Sequence, residues 1–184
     1  MNTTVEEKLK PFVDSVKLSL QTENYYAALS VAFILPDICS KLEFPDKYTG
    51  SRYILWFEKY LEEFYQHEVG ADHEIHVFLS AKDFYALRCA FLHQGQSDIS
   101  EQDKQETINN FIFTKPDKIN NINIHRNYYS SRIGNRQTNK LQLQVDTFCE
   151  EILSGTAEWL NENKNDSNIN NRSLKLMHIF NNYI

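Results

Sequence analysis

The sequence predicts a mainly α fold: a bundle of about five helices carrying a small β-hairpin insertion, in one domain over residues 1–184. Three observations carry that expectation. Only five Gly and four Pro occur in 184 residues, too few for a sandwich or barrel that must turn often. Apolar residues recur at helical spacing in several long stretches. A hydrophobic fraction of 41%, with 12 Phe and 10 Tyr, can fill the core of one domain of this length.

The first helix runs from Val5 to Leu20, where Leu9, Phe12, Val13, Val16 and Leu20 share a face and Pro11 is an early-turn residue or kink. A second starts near Asn24 and continues through "YYAALSVAFILPDICSKLE". It is apolar on most faces and therefore central, with a bend at Pro36. A third, "SRYILWFEKYLEEFY" from Ser51, alternates an apolar face with lysine and glutamates. After a linker, "QHEVGADHEIH", Ser80 opens a fourth helix as its N-cap, with Asp83 three residues on and Gly95 just past its end as a C-cap.

From residue 106 to 126 the period changes to two. "TINNFIFT" and "INNINIH" read as two strands about the turn "KPDK", which is the β-hairpin insertion. A polar stretch leads to a last long helix, "LQLQVDTFCEEILSGTAEWLNEN". The asparagine-rich residues 161–171 read as a flexible linker, and "SLKLMHIFNNYI" as a short terminal helix.

Cys39, Cys89 and Cys149 are odd in number and embedded in apolar stretches, which fits neither a disulfide framework nor a metal knuckle and points to a reducing cytoplasm. The N-terminus lacks the apolar core of a signal peptide. The most apolar run, Tyr25 to Leu35, stops short of a membrane span, so no membrane role is expected. Net charge is -6, but Thr114 to Lys140 carries six basic residues and one acid. That segment is +5 and the remainder -11, so a local basic patch can exist on an acidic chain.

The stretch "DFYALRCAFLHQG" places Arg88 and His93 within an apolar helix. At about 100° per residue, Ala86, Ala90 and His93 share one stripe, and small residues there admit a second helix, which suggests a homodimer through this element. Arg88 lies about 140° round from His93 and about 7.5 Å along the axis, so in a straight helix the two are not expected to converge. His93 sits in the last turn, where the helix dipole favours its protonated form. A histidine that exchanges protons beside an arginine that holds phosphate could support phosphodiester cleavage. The bland reading pairs Arg88 with a core carboxylate, Asp37 or Glu43, and gives His93 a helix end to bond. Arg172 and His178 in "RSLKLMH" also fit the spacing.

On "RCAFLH", Arg88 followed after four residues by His93, the chain resembles the HEPN (higher eukaryotes and prokaryotes nucleotide-binding) superfamily of small helical bundles. Its ribonuclease members carry such an arginine and histidine late in a helix. The resemblance implies a homodimer that cuts RNA without metal or other cofactor, often as a toxin or in phage defence with a cognate antitoxin or defence partner. It further implies that His93 moves protons at the ribose 2′-hydroxyl and the leaving oxygen, while Arg88 steadies the pentavalent phosphate. Members often carry a polar residue after the arginine; here it is Cys89. The alternative on the same fold is a noncatalytic binding or protein-interaction module in which Arg88 and His93 are structural.

Asp37, after the proline, is the expected auxiliary group of the site. Arg126, Tyr128, Arg132 and Arg136 combine stacking and phosphate-binding side chains and are the expected RNA-binding residues. "HEVGADHEIH" groups His67, Glu68, Asp72, His73, Glu74 and His76, but not at a zinc spacing, so no metal is expected. The five glycines are isolated, which leaves no phosphate-binding loop or dinucleotide fingerprint.

Overall fold

A computed structural model describes residues 4–69, 73–117, 119–120 and 122–179, with backbone alone at Ile133 and Arg136. The fold is mainly α, and the described residues form six α-helices and two small sheets. Helices α1 (Val5–Gln21), α2 (Tyr25–Glu43) and α3 (Thr49–Tyr60) precede a 3-10 turn, Glu62–Tyr65, and a hairpin of β1 (Gln66–Val69) and β2 (Glu74–Val77). Helix α4 (Ala81–Gln94) is followed by β3 (Asn110–Thr114), β4 (Asn127–Ile133), β5 (Arg136–Gln144), α5 (Val145–Asn163) and α6 (Ser167–Ser173).

Local chemistry sets the helix boundaries. Thr4 and Glu7 form a reciprocal capping box at the start of α1. The Asn24 side chain accepts from the Ala27 amide at the start of α2. Ser80 caps α4, which ends on Gly95 in the left-handed conformation at φ 67°, so both expected punctuation marks of that helix are in place. Pro11 and Pro36 lie inside α1 and α2, and Pro36 is buried.

Helix α2 is central and packs on α1, α3, α4, α5 and α6. Its Ala28, Ala32, Phe33, Leu35 and Cys39 are fully buried. By length and composition α2 could cross a membrane, yet half of its apolar window is buried inside the bundle. Phe33 meets Phe84 of α4 at 5.8 Å and Phe148 of α5 at 5.4 Å between ring centroids, which joins three helices through aromatic edges and faces. Gly155 lets α5 approach α3: a Cβ there would lie 2.9 Å from the Tyr60 carbonyl oxygen and 3.1 Å from Leu61 Cδ2. Gly155→Ala is expected to destabilise the protein by about 1–3 kcal/mol, read from the midpoint of urea unfolding, because backbone cannot yield as a side chain can.

The sheets correct the expected insertion. Phe111 and Phe113 of β3 do not pair with "INNINIH"; they pair in parallel with Leu141 and Leu143 of β5. The antiparallel hairpin is β4–β5, closed where Ile133 pairs with Arg136, with Gly134 at φ 60°. Strand β5 is therefore the middle of the order β3-β5-β4. The reason is burial: "LQLQ" alternates apolar and polar, "NFIFT" turns Phe111 inward and Ile112 outward, and Phe111, Leu141 and Leu143 are all buried, whereas the asparagine-rich segment offers little apolar surface. The last long helix accordingly begins at Val145, after the strand. The "QHEVGADHEIH" linker is also a hairpin, with His67 opposite His76.

At the C-terminal end the expected linker is largely helical. Asp166 accepts from the Asn168 and Ile169 amides and caps α6, whose Ile169 is buried. Asn170 of α6 accepts from the Val5 amide at 2.8 Å. The expected terminal helix is not formed over residues 174–179, and residues 180–184 lie outside the described ones.

Asp83 fixes α4 against the segment leading to β3. It is fully buried, and its carboxylate accepts from the Glu106 amide at 2.7 Å, the Thr107 amide at 3.0 Å and the Ile108 amide at 3.1 Å. Asp83→Ala would leave these donors unmatched and is expected to cost about 2 kcal/mol, since Glu106 and Thr107 can partly rehydrate. A melt should show the loss without any change in helix content below the transition.

Candidate active site

The face where α2, α3 and α4 meet carries the Arg88–His93 pair. Helix α4 runs through both residues, one and a half turns apart. Contrary to the expectation from helical geometry, they converge: Arg88 Nη1 lies 3.0 Å from His93 Nε2. Cα positions on a straight helix understate the reach of an arginine, whose long stem lies along the helix surface and carries its planar head past a full turn.

A guanidinium only donates, so in this contact His93 Nε2 is the acceptor. His93 is exposed, while the Arg88 side chain is only 15% exposed.

Asp37, one residue past the buried Pro36 of α2, accepts from Arg88 Nη2 through Oδ2. Its Oδ1 faces a second guanidinium: Arg52 Nη2, from the first turn of α3, lies at 3.6 Å. Arg52 Nη1 also donates to the Thr49 hydroxyl at 2.8 Å. Burial opposes the Arg88 charge, but Asp37 and then Cys89 beside it outweigh that and hold Arg88 above its ordinary pKa. The Tyr85 hydroxyl is pushed up by burial and by its hydrogen bond with Cys89. Arg88 Nη1 is 4.0 Å from the Cys89 sulfur, so the residue that departs from the usual polar one sits in the site as a weak polar neighbour.

Of the expected site residues, the structure thus brings Arg88, His93 and Asp37 together. Nothing in its own stretch, "TGSRYIL", marks Arg52 as a site residue; only the packing of α3 on α2 and α4 brings it to Asp37. Glu43, the other carboxylate considered for Arg88, instead accepts from Trp159 Nε1 at 2.8 Å. The stripe Ala86–Ala90 corrects the expected dimer contact: both alanines are buried within the chain's own core and are not open to a second copy.

The expected RNA-binding residues lie elsewhere and do not act alike. Arg126, at φ 62°, turns inward, donating to the Phe64 carbonyl and lying 3.0 Å from His67 Nε2. Tyr128 is half-buried, its ring 5.8 Å from that of His76. Arg132 is exposed on β4, and the Arg136 side chain lies outside the described residues, as does Lys118.

His125 next door is buried with Glu151, Nε2 to carboxylate 3.2 Å, and its Nδ1 accepts from the Gln144 amide at 3.1 Å. Tyr65 donates to the same carboxylate. This buried trio pins the segment before β4 to α5. The isolated "IH" before Arg126 carries no periodic signal, so nothing in the sequence marks this trio.

Around the β1–β2 hairpin, His73 Nδ1 meets Glu68 at 2.8 Å and His76 stacks edge-on to Phe78, while Asp72 lies outside the described residues. Among the described residues no three His, Cys, Asp or Glu side chains gather as a metal set. Arg172, of the second motif match, donates through Nε to the Leu42 carbonyl at 2.6 Å near the C-terminal end of α2. A cleft of about 380 Å³ opens between α2, α4 and β3, lined by Tyr25, Phe91, Phe113 and Lys115 among others; Arg88 and His93 do not line it.

No family model, no curated protein and no solved structure matches the chain.

Proposed function

We propose that the chain is a HEPN-like, metal-independent endoribonuclease acting as a toxin or phage-defence effector in the cytoplasm. The observation that supports this most is the 3.0 Å contact from Arg88 Nη1 to Nε2 of the exposed His93, beside a carboxylate that orients the arginine. An incoming phosphodiester draws the guanidinium N–H to its own oxygens and frees the Nε2 lone pair. His93 then takes the proton of the ribose 2′-hydroxyl, the 2′-oxygen attacks phosphorus, and Arg88 balances the charge on the pentavalent phosphate. The bond to the 5′-oxygen breaks, that oxygen takes the proton now carried by His93, and the products are a 2′,3′-cyclic phosphate and a 5′-hydroxyl. A homodimer fits this chemistry by closing a second copy over the open face that bears His93, and a cognate antitoxin would cover the same face. The test is cleavage of RNA by the purified chain in EDTA, with loss of activity in His93→Ala.

A second reading, a noncatalytic binding or protein-interaction module, is favoured by two observations: Arg88 is already paired with Asp37 at 15% exposure, and the cleft between α2, α4 and β3 lies away from it. Under that reading the wild type releases no product in any buffer, and Arg88→Ala changes only stability.

A further inference from the structure

The cluster at Asp37 carries more positive charge than its own residues balance. Two guanidiniums, Arg52 and Arg88, face one carboxylate, so the group holds a net charge of +1. Both arginine side chains are largely withdrawn from water, at 11% and 15% exposure. Nor is the cluster saturated with hydrogen bonds: Arg52 Nε, Arg88 Nε and Asp37 Oδ1 are buried without a hydrogen-bond partner. Helix α3, which delivers Arg52 in its first turn, starts without a side-chain cap and so adds the positive end of its dipole nearby.

An ion pair with a surplus buried guanidinium is costly unless an anion completes it. Arg88 reaches the surface beside the exposed His93, which gives such an anion a way in. We infer that Arg52 and Arg88 together form a phosphate-binding site, with Asp37 as the hinge that holds both guanidiniums, and that Arg52 is a positioning and specificity residue for a phosphate group held at His93. This rests on the proposed reaction only for the identity of that phosphate as part of RNA; the anion site itself stands on the charge imbalance. Two planar guanidiniums whose Nε–H donors are still unmatched select a tetrahedral oxyanion, with several acceptor oxygens, over chloride.

The test is the melting temperature of the full chain in inorganic phosphate against sodium chloride at equal ionic strength, for wild type, Arg52→Gln, Arg52→Lys and His93→Ala. The site predicts a saturable rise in the wild type, about 5 °C or more at a hundredfold excess over Kd. The rise should persist in His93→Ala, shrink in Arg52→Lys and vanish in Arg52→Gln. Phosphate also stabilises proteins without binding, but that effect grows steadily with concentration and is the same in every variant. A rise of that kind, or no rise at all, overturns the inference. If Arg52→Gln is already unfolded, Arg52→Lys decides: an undiminished rise there overturns the site as well. Assaying RNA cleavage on the same samples separates the two proposals. A saturable, Arg52-dependent rise without any cleavage keeps the anion site and removes the nuclease. Cleavage that is intact in Arg52→Gln, with no phosphate response, does the reverse.

Discussion

Asp37→Ala is expected to be the most destabilising substitution in the site, lowering the unfolding free energy by about 3–5 kcal/mol. The carboxylate is the shared partner of Arg88 and Arg52, and all three side chains are at most 15% exposed. Removing it leaves two like charges facing one another with reduced access to water. Arg88→Ala should cost less, because Asp37 then keeps Arg52, and the pair Asp37→Ala with Arg88→Ala should recover part of the loss. For a chain of this length the Asp37→Ala loss corresponds to a fall of roughly 6–12 °C in melting temperature. If Arg88→Ala proves the more damaging of the two, Asp37 does not hold both guanidiniums.

His93→Ala carries the largest expected effect on activity, a fall in the cleavage rate of about 10²–10⁴-fold. Its effect on stability should be small, within about 0.5 kcal/mol, because the side chain is exposed and its removal leaves Arg88 still bonded to Asp37. The combination separates chemistry from structure. Lost cleavage at unchanged melting temperature marks a proton-transfer group, whereas an equal loss of both would mark a packing residue.

Helices were legible because their boundaries are written in local chemistry. Asn24, Ser80 and Gly95 act where capping rules put them. Strand pairing was not legible in the same way. "NFIFT" was readable as a strand, but its partner lies some thirty residues on in "LQLQ", and parallel pairing carries no turn signal. The Gly134–Asn135 pair did carry one, between Ile133 and Arg136, and the more conspicuous "KPDK" obscured it. "KPDK" does make a local turn, with Asp117 accepting from the Ile119 and Asn120 amides and forming an isolated antiparallel bridge with Ile122, but β3 pairs with β5 instead.

The site was half legible. Arg88, His93 and Asp37 could be named from their apolar surroundings, since a charged residue there needs a partner. Their convergence could not be read from angles about a helix axis, which place Cα atoms and ignore a long side chain. Arg52 lies on an ordinary amphipathic helix, and only tertiary packing brings it to the carboxylate. Arg126 failed in the opposite direction: a basic run suggests a solvated face, but a backbone at positive φ turned this residue inward to the Phe64 carbonyl.

The central claim is that the Arg88–His93 pair cleaves RNA without metal, and end-group analysis of the product tests it most directly. Wild type and His93→Ala are incubated with a labelled single-stranded RNA in EDTA, and the new termini are identified. The account predicts 2′,3′-cyclic phosphate and 5′-hydroxyl ends from the wild type and none from a folded His93→Ala. Intact RNA with the wild type, or the same ends from both proteins, contradicts it.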